Sequence, residues 1–167
     1  VLPGAFSLEG VRRITAEGNR QIAKSILRAG DLVTVRVGAP GVTAVIPNEM
    51  DGCNCASIMI TRRGKHFNSG WLCYAMNSSV GRTNVELAQY GAAQEQFNVS
   101  HAVDFLFPLP PLSEQTAIAD YLHRRCMSID GTVTRVRDGI ARLQEYRTAL
   151  ISAAVTGQID VRGEPTA

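Results

Sequence analysis

Histidine and cysteine, side chains often used in catalysis and metal binding, are few in this chain. The three histidines are His66, His101 and His123. None of them stands in an acid or nucleophile pattern that hydrolases or nucleases use. Cys53 and Cys55 form one C-x-C pair, and no second pair or neighbouring histidine completes a zinc site. We therefore expect no catalytic centre and no metal ion in this chain, and reduced thiols in the cytoplasm.

The charge of the chain is nearly balanced, with a net charge of +2 over 167 residues. The part of the chain before Pro108 contains ten Lys and Arg residues and eight Asp and Glu residues. The part after Pro108 contains seven of each kind. Binding to nucleic acid would therefore depend on local clusters and not on the total charge. The densest cluster runs from Arg62 to His66, as Arg-Arg-Gly-Lys-His. No apolar run approaches the roughly 20 residues of a membrane span.

The part of the chain before Pro108 has the pattern of a mixed α+β domain. Alternating valines at residues 33–37 predict a half-buried strand with Arg36 on its polar face. The turn at residues 38–41 then predicts a hairpin with residues 42–46. A further strand is expected at residues 55–61, followed by a short helix capped by Asn68 or Ser69.

The stretch at residues 107–122 reads FPLPPLSEQTAIADYL, with three prolines in four residues before an uninterrupted helical pattern. Because proline fixes φ and lacks an amide hydrogen, the run ends the preceding structure. Ser113 is the N-cap candidate, and Gly157 supplies a C-cap signal. The predicted organisation is a domain at residues 1–107, a hinge at 108–112, and a long helix with a tail at 113–167.

Apolar residues recur along this helix at alternating spacings of four and three, which is typical of a coiled-coil seam. The seam consists of Leu122, Cys126, Ile129, Val133, Val136, Ile140, Leu143, Leu150 and Ala154, with Arg147 interrupting it. A helix of this length extends about 66 Å and needs a partner helix to cover the seam. The sequence alone leaves open a simple C-terminal dimerisation tail.

Two segments make the chain resemble the specificity subunit of type I restriction–modification systems. They are FPLPPLSEQTAIADYL and, at residues 140–162, IARLQEYRTALISAAVTGQIDVR. In that family, similar segments open and close a long conserved-region helix. The hairpin region and the loop at residues 91–96 are more loosely similar to the family's target-recognition domain. A complete subunit carries two such domains and two helices, so we expect either a C-terminal fragment or a natural half-subunit.

The resemblance implies a DNA-binding component and not an enzyme. One head would read half of a split duplex target, and the helix would space it from a second head or a second copy. Methyltransferase subunits, and a restriction subunit in the full complex, would be the protein partners. S-adenosylmethionine, ATP and Mg²⁺ would be held by those subunits and not by this chain.

Basic and amide side chains are the candidates for contact with DNA phosphates and base edges. They are Arg12, Arg13, Arg20, Lys24, Arg36, Arg62, Arg63, Lys65, His66, Gln94 and Gln96. Two alternatives remain at this point. The chain could be the recognition part of a single-chain restriction–methyltransferase, or a coiled-coil interaction module that does not bind DNA.

Overall fold

The structure, a computed structural model, describes residues 1–89, 98–160 and 162–163, and the chain divides into two compact units, Val1–Leu122 and His123–Ala167. The helices and strands are α1 (Ala16–Gln21), β1 (Leu32–Val35), β2 (Thr43–Val45), β3 (Ile58–Thr61), α2 (Ser69–Asn77), α3 (Ser79–Gln89), α4 (Val99–Ala102) and α5 (Leu112–Val155). Single 3-10 turns occur at Ala23–Ser25 and Asn48–Met50. The predicted α+β class with a long C-terminal helix is confirmed. The predicted division at residues 107 and 112 stays a prediction.

The three strands form an antiparallel sheet in the order β2-β1-β3. The predicted hairpin is present, with Leu32 opposite Val45 and Thr34 opposite Thr43. Its turn requires Gly41, which has a φ of +87° and would place a Cβ 2.7 Å from a methyl group of Val85 on α3. Any other residue would meet both backbone strain and a steric clash at this position.

The expectation of a half-buried strand with one polar face was wrong, because β1 is the central strand and both of its faces are covered. Leu32, Val33 and Thr34 are all buried, whereas Val37 lies beyond the strand and is exposed. Val33 packs in a core with Leu27 and Ile46. Burying a side chain of this size contributes about 1.5–3 kcal/mol.

The opposite face of the sheet carries hydroxyl groups that are satisfied within the fold. The hydroxyls of Thr34 and Thr43 lie 2.9 Å apart, and Thr43 also donates to the carbonyl of Gly41. On the edge strand β2, the Asn77 side chain of α2 accepts from the Thr43 N–H at 3.1 Å and donates to its carbonyl at 2.8 Å. The Asn77 amide thus pairs with β2 as a neighbouring strand would.

Helix α2 starts at the predicted cap, where Asn68 Oδ1 accepts from the Trp71 N–H at 3.0 Å. It buries Trp71, Cys73 and Met76. Helix α3 follows after one residue, and a Cβ at Gly81 would lie 2.0 Å from the Met76 carbonyl oxygen. Only glycine allows the two helices to approach so closely.

The last strand is shorter than predicted. We expected a strand at residues 55–61, but β3 begins at Ile58. Ser57 has a φ of 61°, in the left-handed region, and this interrupts the extended backbone before the strand.

Helix α5 spans 44 residues, close to the predicted limits. Ser113 is not its N-cap, because the helix starts at Leu112 and the carbonyl of Pro111 accepts from the N–H groups of Glu114 and Gln115. At the other end, Gly157 has a φ of +74°. The N–H of Gln158 donates to the Ala153 carbonyl at 2.8 Å, and that of Gly157 to the Ala154 carbonyl. This pair of bonds is a Schellman cap, as the glycine predicted.

Helix α5 is packed against the domain at its beginning and is mostly exposed afterwards. Gln115 and Ala119, in the first unit, are buried. In the second unit most of the predicted seam is exposed within the single chain, from 39% for Val133 to 69% for Leu143, and Ala154 near the end of the helix is half-buried. Pairing of this helix with a partner stays a prediction.

Candidate nucleic-acid interface

The basic segment at residues 62–68, which we call the basic loop, is held at its start by Asp31. This carboxylate is 1% exposed and lies directly before β1. It accepts from the Arg62 guanidinium at 2.5 Å and from the Arg63 backbone N–H at 3.0 Å. The loop therefore leaves the end of β3 in a direction set by a buried acceptor.

The electrostatics at Asp31 favour the ionised carboxylate. Burial by itself would raise the pKa of Asp31. The Arg63 N–H and the hydrogen-bonded positive charge of Arg62 outweigh that effect, so the pKa lies below its ordinary value. Asp31 and Arg62 thus form a charged pair that belongs to the structure of the domain.

The Arg62 guanidinium also connects two basic segments that are distant in sequence. It donates to the carbonyl of Ile26 at 2.9 Å and to that of Lys24 at 3.4 Å. The segment that carries Lys24 is fixed from the other side by Asn54, which bonds to Asn19 and to the carbonyl of Ile22. The backbone of Lys24 is therefore brought to the start of the basic loop.

Beyond Arg62 the basic loop presents its charges to solvent. Arg63, Lys65 and His66 are exposed. The ring of Phe67 lies against Gly64, where an added Cβ would come within 2.7 Å of a ring carbon. The loop thus has an internal packing contact as well as its polar anchor.

The end of the basic loop is held by Gln115 from the start of α5, a residue that did not appear among the predicted site residues. Its side chain is 1% exposed and makes three hydrogen bonds. Oε1 accepts from the Asn68 N–H at 2.7 Å, and Nε2 donates to the carbonyls of His66 at 3.2 Å and Pro110 at 2.8 Å. The motif LSEQ could have indicated this role, because a polar side chain that is buried on an otherwise apolar helix face requires hydrogen-bond partners.

The remaining candidates are distributed around the domain. Arg20 forms an exposed ion pair with Glu17 one turn away, and such pairs contribute little to stability. Arg36 donates to Asn98 Oδ1 at 2.7 Å and lies just beyond β1.

Arg12 and Arg13 are exposed in an irregular segment before α1. Gln94 and Gln96 lie outside the described residues. Among the candidates the structure brings the Lys24 backbone to the Arg62 side chain, and contact with DNA stays a prediction for all of them.

Within residues 1–89, 98–160 and 162–163, no three His, Cys, Asp or Glu side chains are grouped so that they could hold a metal ion. Among the same residues, no helix has both the length and the apolar character needed to cross a bilayer.

The fold defines the class of protein. It is a small mixed α+β domain that includes the first turns of α5, a helix of 44 residues. The same fold occurs in the HsdS subunit from Thermoanaerobacter tengcongensis, with a TM-score of 0.58 and 22% identity. It also occurs in a chain solved in work on complex assembly and conformational transition of the type I R-M system, with a TM-score of 0.59 and 20% identity. Each match covers 85% of this chain and 36% of the other chain.

Sequence comparison leads to the same group of proteins. The chain is 41% identical over 56 residues to the type I restriction enzyme EcoBI specificity subunit of Escherichia coli. It is 27% identical over 100 residues to the EcoKI specificity subunit of Escherichia coli strain K12. These matches cover 34% and 60% of this chain, and 12% and 22% of the relatives. No family model matches the sequence. The resemblance to type I specificity subunits is confirmed.

Proposed function

We propose that this chain recognises one half of a split duplex DNA target as the reading head and spacer of a type I specificity subunit. The proposal rests on one observation, which is that the sequence comparison and the structure comparison lead to the same group of proteins. Two curated relatives are specificity subunits, and the shared fold covers 85% of the chain. The matches span only 12% and 22% of those relatives, so their activity is a proposal for this chain.

The basic loop is the surface proposed to contact DNA. Arg63 and Lys65 are exposed, and the Lys24 backbone is tied to Arg62 at the base of the loop. Lysine and arginine side chains in this arrangement supply phosphate contacts, which position a protein on the duplex. Arg62 is proposed to act differently from its neighbours, because its guanidinium is already bound to Asp31.

The exposed part of α5 is proposed to bind other protein chains. Its seam would pair with the helix of a second specificity half or with a second copy of this chain, and methyltransferase subunits would dock along the paired helices. Catalysis would belong to those subunits and to a restriction subunit, which would hold S-adenosylmethionine, ATP and Mg²⁺. This chain would supply recognition and spacing.

A salt titration of DNA binding tests the proposal. Fluorescence anisotropy with a random-sequence duplex should show binding at low salt that weakens as salt increases. The double variant Arg63→Ala with Lys65→Ala should bind more weakly, and the slope of log K against log salt should fall by about 0.9 for each lost phosphate contact. Arg62 is left unchanged because its loss would also disturb the fold.

A matched control removes two positive charges elsewhere. Arg135→Ala with Arg142→Ala changes the net charge equally, but both residues are exposed on α5. The control should keep the slope of the unmodified chain. An equal loss of slope in both variants would show that total charge, and not the basic loop, drives binding. Absence of binding to duplex DNA at low salt would contradict the proposed function.

A further inference from the structure

The basic loop is anchored at both ends by buried side chains from different parts of the fold. Asp31 holds its start through the Arg62 guanidinium and the Arg63 N–H. Gln115 holds its end through the His66 carbonyl and the Asn68 N–H. Both anchoring residues are 1% exposed. Neither can reach DNA itself, because each is enclosed by the domain.

The two anchors fix the backbone on both sides of the exposed charges. The residues between them, Arg63 to Phe67, include the close contact between Gly64 and the Phe67 ring. A loop that is ordered before binding loses less conformational freedom when it meets DNA. The charges of Arg63 and Lys65 are thus presented from a prearranged backbone.

Gln115 connects this loop to the helix. It is the fourth residue of α5, and its Nε2 also donates to the Pro110 carbonyl. Asn68 adds a second link, since its side-chain amide donates to Thr116 Oγ1 at 3.3 Å. The position of the loop end is therefore set by the first turns of α5.

We infer that Gln115 is a positioning residue for DNA binding, which acts through the basic loop without touching DNA. The inference rests on the proposed function. Loss of the Gln115 side-chain bonds should leave the loop charges in place but allow the loop to move. The phosphate contacts would still form. The loop would then lose conformational freedom on binding, and this loss would weaken the affinity for DNA.

A double-mutant cycle on the 167-residue chain tests this inference. Gln115→Met keeps a long side chain of similar size and removes all three hydrogen bonds. With a random-sequence duplex at low salt, we expect about tenfold weaker binding, as for two side chains that must be ordered on binding. The salt slope should stay that of the unmodified chain, because the number of phosphate contacts does not change.

The decisive arm repeats Gln115→Met in the background of Arg63→Ala with Lys65→Ala. If Gln115 acts through the loop, the substitution should have little further effect there, and the two changes should be strongly non-additive. Additive losses would overturn the inference while leaving the proposed function intact. Unchanged binding in Arg63→Ala with Lys65→Ala would instead contradict the proposed role of the loop in DNA binding. Gln144→Met, an exposed glutamine on the same helix, is the control and should bind as the unmodified chain does.

Hydrogen exchange on the unmodified chain gives an independent answer if Gln115→Met does not fold. The amides of Arg63 and Asn68 donate to the two anchors, so both should exchange slowly. Exchange of the Asn68 amide at the rate of an unstructured peptide would overturn the inference.

Discussion

The two compact units of this chain are stabilised in different ways. In Val1–Leu122, buried polar side chains bond to segments far away in sequence, as Asp31 does with Arg62 and Gln115 does with Asn68. In His123–Ala167, the threonine hydroxyls on α5 donate to carbonyls four residues earlier, and most of the seam is exposed. The first unit therefore contains its own stabilising contacts, whereas α5 beyond Leu122 leaves much of an apolar face uncovered in the single chain.

The largest effect should come from a charge placed on the exposed seam. Because the seam is uncovered in a single chain, we expect the isolated protein to form dimers or higher species through α5. Leu143→Asp with Ile140→Asp should give monomers in analytical ultracentrifugation. Ala141→Asp, on the same turn but off the seam, should keep the association of the unmodified chain. An unmodified chain that is monomeric at high concentration would contradict this expectation.

A smaller effect is expected at the buried ion pair of the first unit. Arg62→Ala leaves the Asp31 carboxylate buried without its charged partner, at a cost of about 2 kcal/mol, reduced from the value for a fully buried pair because 41% of the Arg62 side chain is exposed. Arg63→Ala should change the free energy of unfolding by less than about 0.5 kcal/mol, since its backbone N–H remains. Chemical denaturation followed by tryptophan fluorescence measures both. Equal losses for the two variants would contradict the distinct role of Arg62.

Acid should weaken the first unit through the same residue. The folded-state pKa of Asp31 is lowered, so the stability gained from its ionised form is complete above the unfolded pKa of about 3.9. That stability is lost as the pH falls through the lower, folded-state pKa. Asp31→Asn should remove this part of the pH dependence of unfolding, while Asp130→Asn on the exposed helix should keep it. Identical pH profiles for the unmodified chain and Asp31→Asn would contradict the linkage.

Local signals in the sequence predicted the parts of the fold that local chemistry determines. Asn68 caps α2 and Gly157 ends α5, because a cap is satisfied by backbone groups within a few residues. The glycine-rich hairpin turn was predicted for the same reason. Ser113 failed as a cap because α5 already begins at Leu112, which places Ser113 inside the first turn of the helix.

Sequence patterns could not predict the long-range contacts of the fold. The alternating valines indicated a strand but not that it would be the central strand of the sheet, with Leu32, Val33 and Thr34 all buried. The charge cluster at residues 62–66 predicted an exposed loop, but nothing local distinguished Arg62, which binds Asp31, from Arg63. The sequence motif included Gln115 but did not predict its role, because its partners Asn68 and His66 lie 47 and 49 residues away.

The most direct test of the central claim, that α5 spaces a DNA-reading head, changes the length of the helix. Four residues inserted after Thr134 lengthen it by about 6 Å and rotate the following part by about 40° beyond a full turn. The variant would be assembled into a complete specificity subunit with its methyltransferase partners, and the methylated sites mapped. Because base pairs rise 3.4 Å along the duplex, the gap between the two half-sites should grow by about one or two base pairs, with both half-site sequences unchanged. Altered half-site sequences with an unaltered gap would contradict the account.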